Sequence, residues 1–451
     1  MKLSSNITTT PALPADDAPA LPPDEDGVVA VGRQGLISGA QFSRDAAALA
    51  SRLPAHDYIV NLCTDRYRFI TGFAAALRRR QVSLMPSANV PAALTALAED
   101  YPDLYALSDG ARPPLPCLDY PEDLEDAAPP PGPWAPQAEQ PAVILFTSGS
   151  TGRPQPAAKD WGTLERSARA AGKRLDIAQL RGATVIGTVP HHHSYGLESV
   201  ILLGLLHGLT IDSSWPLYPS DIRAALARAP GPRILVTTPV HLRALLAEPE
   251  DMPRADLILS ATAPLPAEVA TAAEACFGAT LIEIYGCTEA GQVATRRTAR
   301  ETQWHCLEGV ELRQDAHGTW ASGPAVAGPA LLHDMIELTG PGTFLLGPRE
   351  ADLVDVAGKR TSLAYLNHQL LSIPGVKDGV FLMGEAQGGN VARLAALVVA
   401  PGLTPQAIRE ALRQRIDAAF LPRPLLLVDK LPRNTLGKLP RAELLQRLGQ
   451  V

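Results

Sequence analysis

Apolar positions along this chain follow two spacings, and their order predicts helices that alternate with buried strands. Over residues 41–53 the apolar side chains recur on one side of a 3.6-residue repeat, which predicts an amphipathic helix. Residues 57–62 and 82–85 are short apolar runs that predict strands, with a helix predicted over residues 67–77 between them. Strands separated by helices at this rhythm are typical of a parallel α/β sheet, because parallel neighbours need a crossover connection.

The same alternation continues to the C-terminus. Strands are predicted at residues 142–145, 183–189, 234–239, 257–260, 394–400 and 425–428, with another that starts at residue 281. Helices are predicted at residues 164–175, 240–246, 269–277 and 404–420. The last helix has Thr404 as its N-cap and Pro405 in its first turn. Its buried stripe is predicted to be Ile408, Ala411, Leu412, Ile416 and Phe420.

Composition and charge narrow the classes of function. The 451-residue chain is 46% hydrophobic and 19% charged with a formal net charge of −7, which is ordinary for a globular protein. The chain has no basic tail of the kind that would suggest a nucleic-acid partner. No stretch reaches the roughly 18 uninterrupted apolar residues of a membrane span. The N-terminus shows no apolar core of signal-peptide length. Five scattered cysteines without a Cys-x-x-Cys pair argue against disulfides or a zinc site, which predicts a cytoplasmic protein.

A loop rich in hydroxyls and glycines follows the predicted strand at 142–145. Its hydroxyl and glycine residues are Thr147, Ser148, Gly149, Ser150, Thr151 and Gly152. Glycines let backbone N–H groups approach an anion closely, so the loop is a candidate phosphate cradle. It is not a Walker A loop, because Gly-Lys-Ser/Thr is missing at the required spacing. From these residues alone, a polar strand-to-loop turn is an equal alternative.

Three adjacent histidines, residues 191–193, follow the predicted strand at 183–189. Neighbouring side chains in a strand or turn point in different directions, so a metal ion shared by all three is not expected. We expect one inward-facing histidine, and the alternative is a core histidine hydrogen-bonded to the backbone.

Four motifs occur in order between about residue 140 and residue 441, and together they resemble the adenylate-forming superfamily. They are the Thr-Ser-Gly-Ser-Thr-Gly-Arg-Pro loop from Thr147, Tyr-Gly-Cys-Thr-Glu from Tyr285, the pair Asp334 and Arg349, and the Leu-Pro-Arg-Asn-Thr-Leu-Gly-Lys segment that ends at Lys438. The superfamily contains acyl- and aryl-CoA synthetases, adenylation domains and luciferases. The first 140 residues are also similar to the aryl-acid:carrier-protein ligases of aryl-polyene and xanthomonadin-type pigment clusters, on the phrase at residues 61–69 and on Pro154-Gln155-Pro156.

The resemblance implies ATP and Mg²⁺ as cofactors and assigns roles to residues. Tyr285 would flank the adenine, the Thr288 hydroxyl would touch the α-phosphate, and Asp334 would accept hydrogen bonds from the ribose with help from Arg349. The cofactor-binding set is then Thr147, Ser148, Gly149, Ser150, Thr151, Gly152, Lys159, Ala263, Tyr285, Gly286, Thr288, Asp334, Arg349 and Lys438. Glu289 and Thr151 would hold Mg²⁺. Without the resemblance, Glu289 reads as a surface or capping carboxylate and Asp334 as a solvated turn residue.

The resemblance also implies the reaction and the domain organisation. The carboxylate of a small aromatic acid, held by His193, Ser194, Ala261 and Gly286, would react with ATP to form an acyl-adenylate, with Lys438, Thr288 and His193 as catalytic residues. A thiol of an acyl carrier protein, or of CoA, would then take the acyl group. We expect an α/β fold with a flexible tail (1–26), a large domain with parallel or mixed sheets (27–348), a hinge (349–352) and a small mobile α+β domain (353–451).

Several positions depart from the superfamily pattern. Gln155 and Pro156 stand where Lys and Gly are usual, and Ala351 occupies the hinge position. Lys159 is the candidate to replace the missing charge of the loop. Tyr365 and Asn367 lie where a Glu is expected. These departures keep open a second class of function, a degenerate homologue that binds acid or nucleotide without turnover.

Overall fold

The computed structural model describes Leu21 and residues 24–32, 35–86, 88–124, 134–147, 155–247, 251–349, 353–356, 359–384, 394–434 and 439–449. The chain forms two compact units. The first comprises residues 1–182 and 201–214, and the second comprises residues 183–200 and 215–451. The division predicted at residues 349–352 falls within the second unit and mostly outside the described residues, so it stays a prediction. The predicted tail also lies largely outside them, although Leu21 is 2% exposed and its N–H donates to the Trp134 carbonyl.

The elements are numbered in chain order. The strands are β1 (Val28–Gly32), β2 (Gly35–Ser38), β3 (Tyr58–Asn61), β4 (Val82–Met85), β5 (Leu104–Ser108), β6 (Cys117–Asp119), β7 (Pro141–Thr147), β8 (Gln155–Asp160), β9 (Thr184–Gly187), β10 (Thr210–Asp212), β11 (Arg233–Thr237), β12 (Leu257–Ser260), β13 (Thr280–Cys287), β14 (Gly291–Arg296), β15 (Gln303–Cys306), β16 (Glu311–Asp315), β17 (Gly318–Ser322), β18 (Ala330–Leu332), β19 (Asp334–Gly340), β20 (Thr343–Arg349), β21 (Leu353–Val356), β22 (Lys359–Ser362), β23 (Asp378–Met383), β24 (Leu394–Val399) and β25 (Leu425–Leu427). The α-helices are α1 (Gly39–Arg52), α2 (Arg66–Arg78), α3 (Pro91–Asp100), α4 (Trp161–Arg174), α5 (Ser194–Gly196), α6 (Leu203–Leu206), α7 (Pro219–Arg228), α8 (Pro239–Leu246), α9 (Ala267–Phe277), α10 (Leu363–Leu371), α11 (Pro405–Arg413) and α12 (Arg441–Gly449).

The first unit contains a six-stranded sheet in the order β6-β5-β3-β4-β7-β8. All neighbours are parallel except β7 and β8, which form an antiparallel hairpin. Helix α3 places Leu94 and Leu97 against the sheet residues Val60, Leu84 and Ala106. The predicted α/β class and the strand–helix rhythm of this region are therefore confirmed.

The second unit carries a mixed sheet in the order β19-β20-β15-β14-β13-β12-β11-β9. Strands β9, β11, β12 and β13 are parallel, and the remaining neighbours are antiparallel. Helices α7, α8 and α9 pack on one face, where Ile222, Leu242 and Phe277 meet the strand residues Leu235 and Ile258. This mixture of parallel and antiparallel strands matches the predicted large α/β domain.

The C-terminal part of the second unit has hydrophobic cores of its own. Strands β23, β24 and β25 form a three-stranded sheet. One face packs Leu397 and Leu382 against Leu444 of α12, and the other packs Phe381 and Ala396 among residues of α10 and α11. This region alternates strands and helices as expected.

One predicted helix is wrong in length. Helix α11 begins as expected after Thr404, whose side chain accepts from the Ala407 N–H, but it ends at Arg413 instead of residue 420. Asp417 has extended backbone and its carboxylate accepts from the Ala419 N–H, so it starts a separate 3₁₀ turn. An aspartate that bonds a nearby backbone N–H competes with helix continuation. Ile408, Leu412, Ile416 and Phe420 are nevertheless buried, because the turn keeps the last two against the same core.

Across the described part of the chain, no helix combines the length and the apolar character needed to cross a membrane.

Candidate active site

Four segments follow neighbouring strands of the second unit, and three of them contain candidate site residues named by the sequence analysis. Residues 188–195, 238–241, 261–264 and 285–289 lie at the carboxyl ends of β9, β11, β12 and β13. Because these four strands are parallel, the segments lie along one edge of the sheet. The carboxyl edge of a parallel sheet is where α/β proteins bind ligands.

The segment from Tyr285 to Glu289 forms the tip of the β13–β14 hairpin. Gly286 pairs with Gln292 beside an irregularity in the strand register, a feature that often occurs next to active sites. A Cβ at Gly286 would collide with the Gly291 carbonyl, so only glycine allows the two strands to approach here. Thr288 is half-buried and Glu289 is exposed at the tip. The geometry therefore presents the Thr288 and Glu289 side chains beyond the end of the strand.

Tyr285 and Asp334 are brought together by folding. The Tyr285 hydroxyl donates to Asp334 Oδ2 over 2.8 Å. Asp334 opens β19 and stands opposite Arg349 of β20 in the register of the two strands, which brings the backbones of the predicted pair together. Trp304 and Phe344 hold the Tyr285 ring at centroid distances of 5.7 Å each. These aromatic contacts fix the ring whose hydroxyl orients the Asp334 carboxylate.

The histidine segment is a tight turn between β9 and α5. His191 is 1% exposed, whereas the His192 and His193 side chains are half-buried, with their ring centroids 4.5 Å apart. Burial lowers the pKa of His192 from 6.5 to about 4, so its ring is neutral at physiological pH. The Tyr195 hydroxyl donates to the Thr237 carbonyl over 3.1 Å and ties the segment to the end of β11. The inward-facing residue is His191, while His193 remains accessible.

Glu198 links the histidine segment to the β13–β14 hairpin, and sequence reasoning missed it. It is 2% exposed and lies on a π-helical turn, Leu197–Leu202, a conformation that is frequent at functional sites. Its Oε1 accepts from the Ser194 hydroxyl over 2.7 Å, and its Oε2 accepts from the Gln292 N–H over 3.0 Å. Ser194 and Gly286, both predicted substrate contacts, are thereby attached to one wall, because Gln292 pairs with Gly286.

The turn at residues 261–264 is held from beneath by Glu283. Glu283 Oε1 accepts from the Leu265 N–H over 3.1 Å, directly after the turn. Ala261 is buried and Ala263 is exposed, so the turn presents Ala263 outward. Thr262 has a φ of 80°, which is strained for a β-branched residue.

Several predicted residues lie outside what the structure describes. These are Ser148, Gly149, Ser150, Thr151, Gly152, Ala351 and Lys438, together with the side chains of Thr147 and Arg349. The backbone of Thr147 pairs with Gln155, so the two described strands of the β7–β8 hairpin are paired up to the residues that flank this gap.

Lys159 lies in the body of the hairpin that carries the loop. It is 4% exposed and pairs with Val143. It lies four residues beyond Gln155, or about 13 Å along the strand. Because residues 148–154 lie outside the described part of the chain, the role of Lys159 as the replacement charge of the loop stays a prediction.

The Glu289 carboxylate suits a cation that binds together with the phosphates of a nucleotide. Glu289 is an exposed carboxylate, and within the described ranges no three His, Cys, Asp or Glu residues stand close enough to hold a metal by themselves. Mg²⁺ usually takes one or two protein carboxylates and completes its shell with phosphate oxygens and water. Glu289 therefore fits the magnesium role that the sequence analysis gives it.

Comparison with known proteins agrees with this geometry. The model of the family described as AMP-binding enzyme matches residues 48–313, more than half of the chain. The chain belongs to the AMP-binding enzyme family. It is accordingly an enzyme of the adenylate-forming acid–thiol ligase type. A 4-coumarate–CoA ligase of Rhodobacter capsulatus is 30% identical over 286 residues, covering 63% of this chain and 70% of the relative. A probable 2-succinylbenzoate–CoA ligase of Mycobacterium tuberculosis is 27% identical over 342 residues, covering 68% and 84%.

Solved structures share the fold of this AMP-binding enzyme. ATP-bound MatB from Rhodopseudomonas palustris has a TM-score of 0.79 at 20% identity, covering 94% of this chain and 96% of that one. The O-succinylbenzoate CoA synthetase of Bacillus subtilis, in complex with ATP and a magnesium ion, has a TM-score of 0.79 at 19% identity, covering 93% and 96%. The predicted cofactors, ATP and Mg²⁺, are thus those found in solved ligases of this fold.

Proposed function

We propose that this enzyme activates a small aromatic carboxylic acid, of the hydroxybenzoate kind, and transfers it to the phosphopantetheine thiol of an acyl carrier protein. The observation that carries the adenylation half is the pairing of Tyr285 with Asp334 beside the Thr288–Glu289 tip. On this assignment the Tyr285 ring would flank the adenine, the Asp334 carboxylate would accept from the ribose hydroxyls, and the Thr288 hydroxyl would contact the α-phosphate.

The first step joins two anions, so positioning and charge neutralisation dominate it. The acid's carboxylate oxygen attacks the α-phosphorus of ATP, pyrophosphate leaves, and the acyl-adenylate forms. Lys438 would place a positive charge beside the carboxylate and α-phosphate. The Thr288 hydroxyl would donate to the α-phosphate, and His193 would orient the carboxylate. Mg²⁺ bound at Glu289 would neutralise phosphate charge.

In the second step the thiol sulfur attacks the acyl carbon, the thioester forms, and AMP leaves. Charge supports a carrier protein as the donor of that thiol. Residues 353–451 hold 13 Lys and Arg against 7 Asp and Glu, although the whole chain has a net charge of −7. Within this region Arg447 Nη1 donates to the Lys430 carbonyl over 2.8 Å, so two cationic residues lie side by side. Carrier proteins are typically acidic, and complementary charge speeds such encounters.

The names of the curated relatives favour a second candidate, an aryl- or acyl-CoA ligase. It shares the adenylation step and differs only in the acceptor thiol. Turnover of a panel of aromatic acids with phosphopantetheinylated carrier protein and with free CoA separates the two. The carrier-protein proposal predicts faster transfer to the carrier protein and a loss of rate with added salt. Faster turnover with CoA would contradict the carrier-protein half alone.

The adenylation proposal is tested at Lys438. Lys438→Ala should lower the rate of carboxylate-dependent pyrophosphate release by two orders of magnitude or more. A loss of this order is typical when one electrostatically stabilising group is removed from an active site. Transfer from a preformed acyl-adenylate should be spared, because the charge acts on the first step. Equal loss in both assays would assign Lys438 a structural role. If the unmodified enzyme binds acid and ATP but releases no pyrophosphate, the degenerate-homologue alternative is correct.

A further inference from the structure

A buried polar wall lies beside the predicted acid-binding residues. It consists of Ser194, Glu198, Ser199 and Gln292, of which the last three are between 1% and 5% exposed. The Glu198 carboxylate accepts from Ser194 and from the Gln292 N–H, and Gln292 Nε2 donates to the Ser199 hydroxyl over 3.1 Å. Ser194 is half-buried, so this wall reaches the accessible side of the histidine segment.

One acceptor of this wall has no donor. Gln292 Oε1 is buried and makes no hydrogen bond to any described atom. Buried amide oxygens are rarely left without a donor, because desolvation then goes uncompensated. The Ser194 oxygen, whose proton points to Glu198, also keeps lone pairs. The wall therefore offers the Gln292 and Ser194 oxygens as acceptors beside the buried Glu198 carboxyl group.

We propose that the wall reads a hydroxyl or amino group on the ring of the acid and rejects acids that carry a second carboxylate. This inference rests on the proposed function, since it assumes that His193 and Ser194 face the acid. A neutral donor would satisfy Gln292 Oε1 and the Ser194 oxygen. A plain benzoate leaves Gln292 Oε1 unpaired, and a dicarboxylate meets the charge of Glu198 at close range.

The experiment measures kcat/KM for acid-dependent pyrophosphate release with benzoate, the 3- and 4-hydroxy and amino benzoates, and benzene-1,3- and 1,4-dicarboxylate. The kcat/KM of the best hydroxybenzoate or aminobenzoate should exceed that of benzoate by at least about 100-fold. It should exceed that of the dicarboxylates by as much or more. Gln292→Met should cut the preference over benzoate tenfold or more. Glu198→Gln should narrow the gap to the dicarboxylates, because it removes charge and keeps size. Thermal unfolding checks that both variants fold.

Gln140→Met is the matched control, because Gln140 is a buried glutamine of the first unit whose Nε2 donates to the Leu77 carbonyl. It should leave all ratios between acids unchanged. Equal rates for benzoate and its hydroxy forms, or a dicarboxylate as the best acid, would overturn the inference and leave adenylation intact. Variants that slow all acids equally would make the wall structural and also overturn it. Absence of pyrophosphate release with every acid would overturn the proposed function as well.

Discussion

Glu283 and Glu198 are both buried carboxyl groups of the second unit, but the atoms around them differ in kind. Glu283 lies within 2.7 Å of the Arg296 guanidinium and also accepts from the Thr298 hydroxyl and the Leu265 N–H. Burial raises the pKa of its carboxyl, and the charge of Arg296 and these donors oppose the rise. The bonds that position Glu198 instead come from a hydroxyl and a backbone N–H on two segments predicted to contact substrate.

This difference suits the two carboxyl groups to different roles: Glu283 supports the fold at the sheet edge, and Glu198 belongs to the wall proposed to recognise the acid. Around Glu283 the donors come from the turn and strands that shape the sheet edge, and the nearby cation compensates its charge. Glu198 instead accepts from a hydroxyl and a backbone N–H of two segments predicted to contact substrate, and the adjacent Gln292 oxygen has no donor among the described atoms. A buried carboxyl group with a matched arginine holds the fold. Beside Glu198, the Gln292 oxygen without a donor creates a demand that a ligand's donor group can meet.

Breaking the Glu283 pair should have the largest effect on stability. Glu283→Gln leaves the Arg296 guanidinium, which stacks 4.4 Å over Trp304, without its counter-charge. Breaking a buried pair costs about 3–5 kcal/mol, because an uncompensated charge remains. Urea unfolding of the single variant, and of Glu283→Gln combined with Arg296→Met, measures this loss. The double variant should recover most of it.

Glu274→Gln is the control for that loss. Glu274 also bonds an arginine, Arg297, through two contacts of 2.9 Å, but the Arg297 side chain is 35% exposed. Exposed pairs contribute at most about 1 kcal/mol, so this change should cost much less. Equal losses at Glu274 and Glu283 would show that burial does not set the contribution of these pairs.

The sequence predicted elements best where local pattern decides them. Strands β4 and β12 match residues 82–85 and 257–260 at both ends, because each is a short apolar run. The helix predicted over 404–420 was too long, because the apolar spacing continues past Arg413 while the Asp417 carboxylate starts a new turn. A pattern of burial constrains which residues face the core and does not say whether one helix carries them.

The site was predictable where a motif marks it and hidden where folding alone makes it. Tyr285 and Asp334 come from separate motifs, yet nothing local predicts their hydrogen bond. The contact between Glu198 and Gln292 joins residues 94 positions apart and exists only because β14 folds back beside the π-helical turn. The available signal was Glu198 itself, a single acid two residues before the largely apolar run at residues 200–206.

Asp334 should show an intermediate effect, on binding instead of folding. It is a half-exposed carboxylate, whereas Glu283 is buried, so a ligand can reach Asp334 in a way that it cannot reach Glu283. Asp334→Asn should weaken ATP binding by about 1.5–3 kcal/mol for each charged hydrogen bond lost. Calorimetry with ATP measures this, and stability should change little.

Tyr285→Phe is the comparison variant for Asp334. It removes the hydroxyl that orients the carboxylate and keeps both the ring and the charge. Its effect on affinity should therefore be smaller than that of Asp334→Asn. An unchanged affinity in Asp334→Asn would remove Asp334 from the nucleotide site.

The smallest effect at neutral pH concerns His192, a half-buried titratable group of the histidine segment whose pKa burial lowers to about 4. As pH falls from 6.5 towards 4, the unfolded chain binds a proton at this ring before the folded chain does. Stability should therefore fall as pH falls through this window, by up to about 1.4 kcal/mol per pH unit for one proton. His192→Gln should flatten the stability curve between these pH values, measured by urea unfolding at each pH.

His207 and His241, whose pKa values burial also lowers, should leave a residual pH dependence of stability in the His192→Gln variant. His317→Gln, at an exposed position, is the control and should leave the slope unchanged. An equal dependence of the unfolding free energy on pH in His192→Gln and in the unmodified enzyme would mean that this ring is hydrated in solution. The contrast between buried groups with and without compensating partners would then not extend to the histidine segment.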